Sequence, residues 1–589
     1  MSRNRGLALL LALLLVLSLC GCGNKKQKAD ASASVEPERS AEASTSAEAD
    51  ESAPSREEEE EALPFSLGYY EGLGLNPYTC DNAQNQSLMG LLYEPLYELD
   101  EHFTAQPVLA KSVTAKARTE QRVVETKKDK IAQTESTEEA EKTKTRRVDV
   151  TDVTVKLRKD AKFSDGSTVR ADDVAYSLRR AAAKGSVYRS RLGSITNLST
   201  SGRDTVTFTL DSGAQCVAEL LDVPIIKNGE GDKLFPIGSG PYTVKRNKKG
   251  KPTALVANQS WWRLGEEYQI ALSQGVKVDS GGEGVITRTI SLPLDRIRLY
   301  TAGDSDELIF GFSSGAMTAV SSDLTAPDAL TFTGRYDVSD YPTTDLLYLG
   351  CNTAKGPCQE EKLRAAIYRS VDRERIVERM LAGHATAAAL PVHQSSALWD
   401  AELAEKLDYS RDKAQKLCKD AGVTSELKLI VNKESVFKAA AAKEIARQLE
   451  SAGLNVKTQR LSWKAYKSAL KEGNYDLYFG EVVLSSTFDL SALLNKGGAL
   501  NFPNYDSDTL SAAEKTFRKA GRDSRTESAK KLFSALSEEA PIVPVCFKNG
   551  SLLSRTDTVT RSRATQSNLF HALWDWVLNE NVVKASNVE

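Results

Sequence analysis

The segment of residues 427–461 constrains the fold more tightly than any other part of the sequence. Residues 427–431, Leu-Lys-Leu-Ile-Val, have the short apolar pattern of a buried strand. Apolar residues then recur every four positions, as on one face of a helix, at Phe437, Ala441, Ile445 and Leu449. Gly453 supplies a helix stop, and a second strand pattern follows at residues 455–461. This succession predicts a right-handed βαβ unit with parallel strands, and therefore an α/β fold.

A second strand–helix succession lies earlier in the chain. Val153 and Val155 alternate with polar neighbours before Leu157, and the turn residues Phe-Ser-Asp-Gly follow at 163–166. Helical spacing comes next at Val174, Leu178 and Ala181, with Asp172 and Asp173 in the first turn, where carboxylates complement the helix dipole. The chain has 589 residues, more than one core usually organises. We therefore predict at least two lobes.

The first 22 residues have the pattern of an export signal. Two arginines precede an apolar run at residues 6–19, which is shorter than the roughly 20 residues of a membrane-spanning helix. The run ends in Leu-Cys-Gly-Cys-Gly at residues 19–23, which resembles the bacterial lipobox. Cys22 fits the lipidated position better than Cys20, because a small glycine precedes it. The expectation is a lipid-anchored protein on the outer face of the bacterial cytoplasmic membrane; cleavage without lipidation is the alternative.

Two polar stretches flank and interrupt the part of the chain that is expected to fold. Residues 23–62 are rich in Ser, Ala and Glu, end in an acidic run at 57–61 and contain no aromatic residue. Such a composition cannot bury a core, and it predicts a disordered tether. Residues 115–147 are rich in Lys and Glu. They predict a surface insertion, either an extended hairpin tip or a disordered loop.

Cysteine and histidine usage predicts neither a metal nor a cofactor. Cleavage at Cys22 would leave six other cysteines, and of these Cys351 and Cys358 are close enough in sequence to form a small disulfide loop. Buried free thiols are the alternative for this pair. No metal-ligand spacing relates the four histidines to one another or to a cysteine pair: His102, His384, His393 and His571. The formal net charge of −3 gives no indication of nucleic acid binding.

Short fragments in a fixed order carry a resemblance to a known family. They are Leu-Asn-Pro at 75–77, Leu-Tyr-Glu-Pro-Leu at 92–96, the 163–166 turn with Ala-Asp-Asp-Val-Ala-Tyr-Ser at 171–177, Pro-Ile-Gly-Ser-Gly-Pro-Tyr at 236–242, Leu-Arg-Ala-Ala-Ile at 363–367 and Val-Asp-Arg at 371–373. Each is weakly specific alone. Together, behind a lipobox, they resemble the large bacterial solute-binding proteins for oligopeptides, dipeptides and nickel (solute-binding family 5). Asp372 and Arg373 are expected on the solvent side of a helix.

The resemblance implies a two-lobed fold of the periplasmic-binding-protein type II class with a hinge. The first lobe would comprise residues 63–345, the second residues 346–539, and residues 540–589 would return to the first. A small molecule or peptide would bind in the cleft, and the lobes would close around it. The partners would be the permease subunits of an ATP-binding-cassette (ABC) importer with their cytoplasmic ATPases, and the protein would act as a monomer.

The resemblance also indicates where the ligand would bind. By position in the opening segment, Glu71 and Gly72 should line the cleft from the first lobe. Peptide-binding members carry a Trp and then an Asp after a strand like the one at 475–479, and that Asp pairs with the ligand's amino terminus. This chain lacks the Trp. Glu481 or Asp489 could supply the carboxylate, with Ser485 in the same segment, although Asp489 also precedes a helix start that it could cap.

Two short motifs could indicate functions other than solute binding. Residues 311–315 satisfy the G-x-S-x-G pattern of hydrolases with Ser313 as nucleophile, and the apolar residues 308–310 could form the preceding strand. No convincing helix pattern follows, so no enzyme is predicted. Residues 238–241, Gly-Ser-Gly-Pro, predict a tight turn rather than a phosphate cradle. A metal chelate is the alternative ligand, and a surface receptor without an importer is a third function.

Overall fold

The computed structural model describes residues 63–124, 144–211, 213–271, 285–326 and 330–588. Cys22, the predicted tether and residues 125–143 of the predicted insertion lie outside the described residues. The rest of that insertion, residues 115–124 and 144–147, continues two strands that pair with each other as a hairpin. In the part of the chain that the structure describes, no helix is both long and apolar enough to cross a bilayer.

The described chain up to residue 322 is mainly β-structure. Its strands are β1 (Ser66–Tyr70), β2 (Tyr97–Leu99), β3 (Ala105–Pro107), β4 (Ala110–Val124), β5 (Lys144–Leu157), β6 (Ile195–Ser201), β7 (Thr205–Leu210), β8 (Tyr242–Arg246), β9 (Pro252–Ala257), β10 (Glu267–Ala271), β11 (Val285–Thr289), β12 (Arg296–Ala302) and β13 (Ala319–Ser322). Its helices are α1 (Ala83–Ser87), α2 (Ala171–Ala182), α3 (Arg189–Leu192) and α4 (Ser305–Ser313).

Helices predominate in the rest of the chain. They are α5 (Glu361–Ser370), α6 (Arg373–Met380), α7 (Ala401–Leu407), α8 (Arg411–Ala421), α9 (Val436–Ser451), α10 (Trp463–Glu472), α11 (Ser491–Leu494), α12 (Asp508–Lys519), α13 (Arg522–Glu539) and α14 (Glu580–Ser586). The strands are β14 (Tyr336–Cys351), β15 (Ala385–Ala387), β16 (Glu426–Asn432), β17 (Asn455–Leu461), β18 (Leu477–Val483), β19 (Ile542–Arg555), β20 (Val559–Arg561) and β21 (Val577–Leu578).

The predicted βαβ unit is confirmed. β16 and β17 pair in parallel along their whole length, with α9 between them, and β18 adds a further parallel strand to β16. Ala441, Ile445 and Leu449 on the predicted face of α9 are fully buried. The earlier succession is confirmed as well, since β5 ends at Leu157 and α2 carries both predicted aspartates in its first turn.

One sheet of eleven strands runs through the molecule, in the order β17-β16-β18-β14-β19-β13-β1-β12-β9-β8 with β15 paired to β19. Its two ends belong to different apolar cores. One core draws on residues 346–547 together with Phe103, and the other on residues 65–319 together with residues 552–582. β14 and β19 lie at the centre of the sheet and pass from one core to the other, so the molecule has two lobes joined by a pair of strands.

Three local expectations need correction. Residues 308–310 belong to α4 and form no strand. Arg373 is buried, not exposed, because its guanidinium donates to the carbonyl oxygens of Pro544, Val371 and Tyr368. Gly238 has no unusual backbone angle. Glycine is required at position 238 because the backbone approaches residue 92 closely, and a Cβ there would lie 2.1 Å from the Leu92 carbonyl oxygen.

Candidate functional site

The strand directions place the candidate site at the middle of the sheet. β1 and β13 run parallel, whereas β13 and β19, β19 and β14, and β14 and β18 are antiparallel pairs, so β1 and β18 run in opposite directions. β13 ends opposite Ser551, and β18 ends opposite Asp345. The carboxyl ends of both lobes' strands therefore face each other where the β14–β19 pairing is irregular, between Pro342 and Leu346. Ligands of open α/β sheets bind in such a crevice.

On the first-lobe side, the segment after β1 carries the predicted residues Glu71 and Gly72. Gly72 has a φ of 82° and no atom within 4 Å of where a Cβ would lie, so its backbone is exposed in open space. The Glu71 side chain is half-exposed and pairs with Lys251 at 2.5 Å. Sequence reasoning missed Asn85, whose buried amide holds this segment: Oδ1 accepts from Tyr70 N, and Nδ2 donates to the carbonyl oxygens of Tyr70 and Gly74.

On the second-lobe side, the loop of residues 484–490, here called the anchor loop, holds Ser485 and Asp489. Ser485 Oγ lies 2.8 Å from the Thr487 hydroxyl and accepts from Asp489 N at 3.3 Å. Asp489 Oδ1 accepts from Ser491 N at 2.8 Å, so the carboxylate also stabilises the start of α11. Both side chains are partly exposed. Buried Arg525 donates to the Thr487 carbonyl oxygen at 2.6 Å and so fixes the loop from α13.

Glu481 belongs to a charged network on the floor of the cleft. Its carboxylate pairs with Lys438 at 2.9 Å and with Lys548 at 3.2 Å. Lys548, whose side chain is 8% exposed, also reaches Asp323 at 2.6 Å and Asp345 at 3.4 Å. Asp323 follows β13 in the first lobe and Glu481 lies on β18 in the second, so this single ammonium group connects both lobes. Because both lysines engage Glu481, it is a poorer anchor for a ligand cation than Asp489.

The two neighbouring acids of this network have opposite pKa shifts. Burial, and then the negative charge of Glu481, raise the pKa of Asp345 to about 7. Burial alone would raise the pKa of Glu481 as well, but Lys438 and Lys548 outweigh it and lower that pKa to about 2. Asp345 Oδ1 is buried and has no hydrogen-bond partner among the described residues. Below about pH 7 this pair of acids therefore holds one proton, and that proton resides on Asp345.

We expect Asp345→Asn to change how stability depends on pH. A carboxyl group whose pKa is raised on folding keeps its proton while the unfolded chain ionises, so wild-type stability falls as pH rises from about 4 to about 7. The asparagine variant lacks this loss. Between pH 5 and pH 8 its free energy of unfolding should therefore rise by more than about 1 kcal/mol relative to that of wild type. Urea unfolding at several pH values measures it, with exposed Asp306→Asn as control. A constant difference between D345N and wild type would contradict the assignment.

Three exposed apolar side chains that sequence reasoning missed lie at the same edge of the second lobe. Val436 and Trp463 are the first residues of α9 and α10, which follow β16 and β17, and Val483 ends β18. Their exposed fractions are 70%, 51% and 65%. Alternation along β18 places Val483 on the same face as Glu481.

The described residues give no support to other chemistries. No group of three potential metal-binding side chains occurs among them. Ser313 ends helix α4, and its Oγ accepts from Thr333 N at 3.2 Å; no strand leads to it as a nucleophile elbow requires. Cys351 and Cys358 are fully buried free thiols in mutual contact, so the disulfide between them stays a prediction.

A two-lobed α/β fold with a cleft between opposed carboxyl edges defines a binding protein of the periplasmic type. The sequence profile of the bacterial extracellular solute-binding proteins, family 5 (middle part), matches residues 105–501. The chain belongs to this family, and the predicted resemblance and fold class are confirmed. The family is extracellular or periplasmic and consists of binding proteins.

Individual relatives are distant. The oligopeptide-binding protein AppA of Bacillus subtilis is 24% identical over 447 residues, which cover 68% of this chain and 76% of AppA. The solved structure of the ABC transporter substrate-binding protein CtaP from Listeria monocytogenes superposes with a TM-score of 0.60 at 18% identity, covering 88% of this chain and 99% of CtaP. NikZ from Campylobacter jejuni, in complex with Ni(L-His), gives a TM-score of 0.52 at 18% identity, covering 88% and 99%.

Proposed function

We propose that this protein captures a peptide in the cleft between its lobes and delivers it to an ABC importer. The observation that carries the proposal is that β1, which precedes the Glu71–Gly72 segment, and β18, which precedes the anchor loop, run in opposite directions and end towards the middle of one sheet. An open backbone at Gly72 suits a ligand recognised through its main chain, which is the same in every peptide sequence. The relative AppA is described as an oligopeptide-binding protein.

Asp489 is our proposed anchor for the ligand's amino terminus, with Ser485 beside it. Asp489 Oδ1 accepts from Ser491 N at the start of α11, and no described residue donates a hydrogen bond to Oδ2. An ammonium group could therefore reach this carboxylate without displacing a lysine, which it could not do at Glu481. A hydrogen bond to a charged group contributes about 1.5–3 kcal/mol.

The test measures retention of peptides from a mixed pool by native mass spectrometry. We expect wild type to retain peptides, and Asp489→Asn to weaken their binding by about tenfold or more. Asparagine keeps the oxygen that accepts from Ser491 N, so the substitution removes the charge and leaves this hydrogen bond in place. Asp508→Asn, in the first turn of α12, is the matched control. If amino-terminally acetylated peptides bind wild type as tightly as free peptides do, Asp489 does not anchor the amino terminus. If wild type retains no peptide, the proposal of a peptide ligand is wrong.

A metal chelate is the second candidate ligand, since NikZ is described in complex with Ni(L-His). The described residues offer no protein ligand set for a bare ion, so the chelate would have to bring its own ligands. Nickel with and without histidine, added to the same native mass spectrometry experiment, separates the two cases. Retention of the nickel–histidine mass in place of any peptide would favour this candidate.

We further propose that Cys22 carries the lipid anchor and that the lobes divide at residues 63–345, 346–539 and 540–589. The apolar run before Cys22 and the glycine at position 21 support the first point. The division of the two cores supports the second in outline, although residues 540–547 pack in the second core and the first core resumes at Leu552. Cys22→Ala should leave the mature protein in the aqueous phase on detergent partitioning, whereas a chain that is already aqueous in wild type would show that no lipid is attached.

A further inference from the structure

One residue of a turn in the first lobe, Phe103, is buried in the core of the second lobe. This turn joins β2 to β3 and consists of Glu101, His102 and Phe103. Phe103 is 7% exposed, and it packs in the core that otherwise draws on residues 346–547. Its φ of 58° is unfavourable for a residue with a large side chain, and such a conformation persists only where surrounding contacts impose it. The contact across the lobes is therefore specific.

Two residues of this turn, Glu101 and His102, form polar contacts with Ser395 of the second lobe. Ser395 Oγ donates to the Glu101 carbonyl oxygen at 3.0 Å. The Ser395 carbonyl oxygen lies 3.0 Å from His102 Nδ1. In addition, Arg563 pairs with the Glu101 carboxylate at 2.8 Å and so ties the turn to the first lobe's own C-terminal segment. The Phe103 ring is thereby held in one position relative to the second lobe.

Aromatic rings surround Phe103 on the second-lobe side. Its centroid lies 5.3 Å from that of Phe488, edge to face, and 5.5 Å from that of His393. Phe547 of the crossing strand β19 lies 6.1 Å from Phe488 and 5.5 Å from His393. Edge-to-face pairs of this kind contribute about 0.5–1.5 kcal/mol beyond their area burial.

His393 contributes to this cluster as a neutral aromatic ring. Its Nε2 is buried and has no hydrogen-bond partner in the described ranges, while Nδ1 lies 2.9 Å from the Ser395 hydroxyl. Burial lowers the pKa of His393 to about 4, so the ring is neutral and packs as an aromatic surface. The Phe103 ring thus closes an apolar cluster that would otherwise open to water.

Phe488 connects this cluster to the anchor loop. It lies directly before Asp489, and its own φ is 53°, a second strained position next to the first. Its amide donates to the Ser485 carbonyl oxygen at 2.8 Å, so the ring and the loop's turn are fixed together. If the ring moved, the strained backbone would relax and the Ser485 and Asp489 side chains would change direction.

We propose that Phe103 is a positioning residue: the first lobe, through the Phe103–Phe488 contact, sets the conformation of the anchor loop in the second lobe. A binding protein gains from this arrangement because one half of the cleft then acquires its shape only when the other half is in place. The proposal rests on the assignment of the anchor loop to ligand binding, but the contact itself can be tested without any ligand.

The experiment is hydrogen–deuterium exchange of the full chain, read by mass spectrometry. In Phe103→Ala we expect amides of residues 484–490 to exchange about tenfold faster than in wild type, with little change in α9 or β16. Phe103→Leu keeps an apolar side chain and should restore much of the protection. Leu449→Ala, in α9 of the same core, is the matched control for general destabilisation, because Leu449 is fully buried and belongs to a different element.

Two results would overturn the proposal: unchanged exchange at residues 484–490 in Phe103→Ala, or the same acceleration in Leu449→Ala. Tri-alanine binding, followed by calorimetry, supplies the functional readout, and its dissociation constant should rise in Phe103→Ala and recover in Phe103→Leu. Faster loop exchange in a protein that binds no peptide even as wild type would uphold the positioning role and refute the peptide assignment instead.

Discussion

Lys548→Met is expected to lower the free energy of unfolding by about 3–5 kcal/mol, the range measured when one partner of a buried ion pair is removed. Lys548 is the ammonium group that three carboxylates share on the cleft floor. Without it, Asp323 and Asp345 lose this ammonium partner, while Glu481 keeps Lys438. The loss should exceed that of an ordinary surface substitution several-fold, and chemical denaturation followed by circular dichroism measures it.

The double variant Lys548→Met/Asp323→Asn separates this explanation from a packing effect, because the Asp323 carboxylate pairs with Lys548 at 2.6 Å. If the cost comes from unpaired negative charge, removing one carboxylate should recover part of it, and the two substitutions will not be additive. Lys531→Met serves as control, because that side chain is 69% exposed and, among the described residues, forms an ion pair with Glu527 alone. Full additivity of the double variant would show that the network does not act through charge.

Gly238→Ala is expected to have the second large effect, a loss of several kcal/mol or failure to fold. The added Cβ would lie 2.1 Å from the Leu92 carbonyl oxygen and 2.4 Å from the Tyr93 ring. The first of these is a backbone atom and cannot rotate away, so two segments of the first lobe would have to separate. Thermal unfolding of the purified variant, or its yield when it does not fold, is the measurement.

Gly303→Ala is the appropriate comparison. Its nearest obstacle would be the end of the flexible Glu307 side chain at 3.3 Å, which can move, and its φ is not positive. A small effect at Gly303 with a large one at Gly238 is the expected pattern. Equal and small effects would mean that the Leu92 segment can withdraw at little cost.

Local patterns predicted those parts of the fold that local interactions decide. The βαβ unit around α9 was visible because its apolar spacing and its glycine stop lie within one segment of sequence. Arg373 was misplaced because the carbonyl oxygen that it satisfies, that of Pro544, comes from a strand 171 residues away. The periodicity of a sequence indicates only which positions are apolar. It cannot show that a buried guanidinium group has hydrogen-bond acceptors within reach.

The candidate site was predictable in position but not in chemistry. Glu71 and Gly72 follow β1 and Asp489 follows β18, so the family pattern places them at the ends of opposed strands. Nothing in the sequence around Glu481 reveals that Lys438 and Lys548 neutralise it, because those residues come from a helix and a strand elsewhere in the chain. The role of Phe103 could not be predicted for the same reason, since the residues that it contacts belong to the other lobe.

The two cores draw on different stretches of the chain, and this affects the order in which the lobes fold after export. The second core is built, apart from Phe103, from the uninterrupted stretch 346–547, so it can condense as soon as that stretch has emerged. The first core needs Leu552, Phe570 and Trp576, and Phe65 N donates to Ser586 Oγ. The half that is made first therefore completes its core last, because its apolar surface stays uncovered until residues 552–586 arrive.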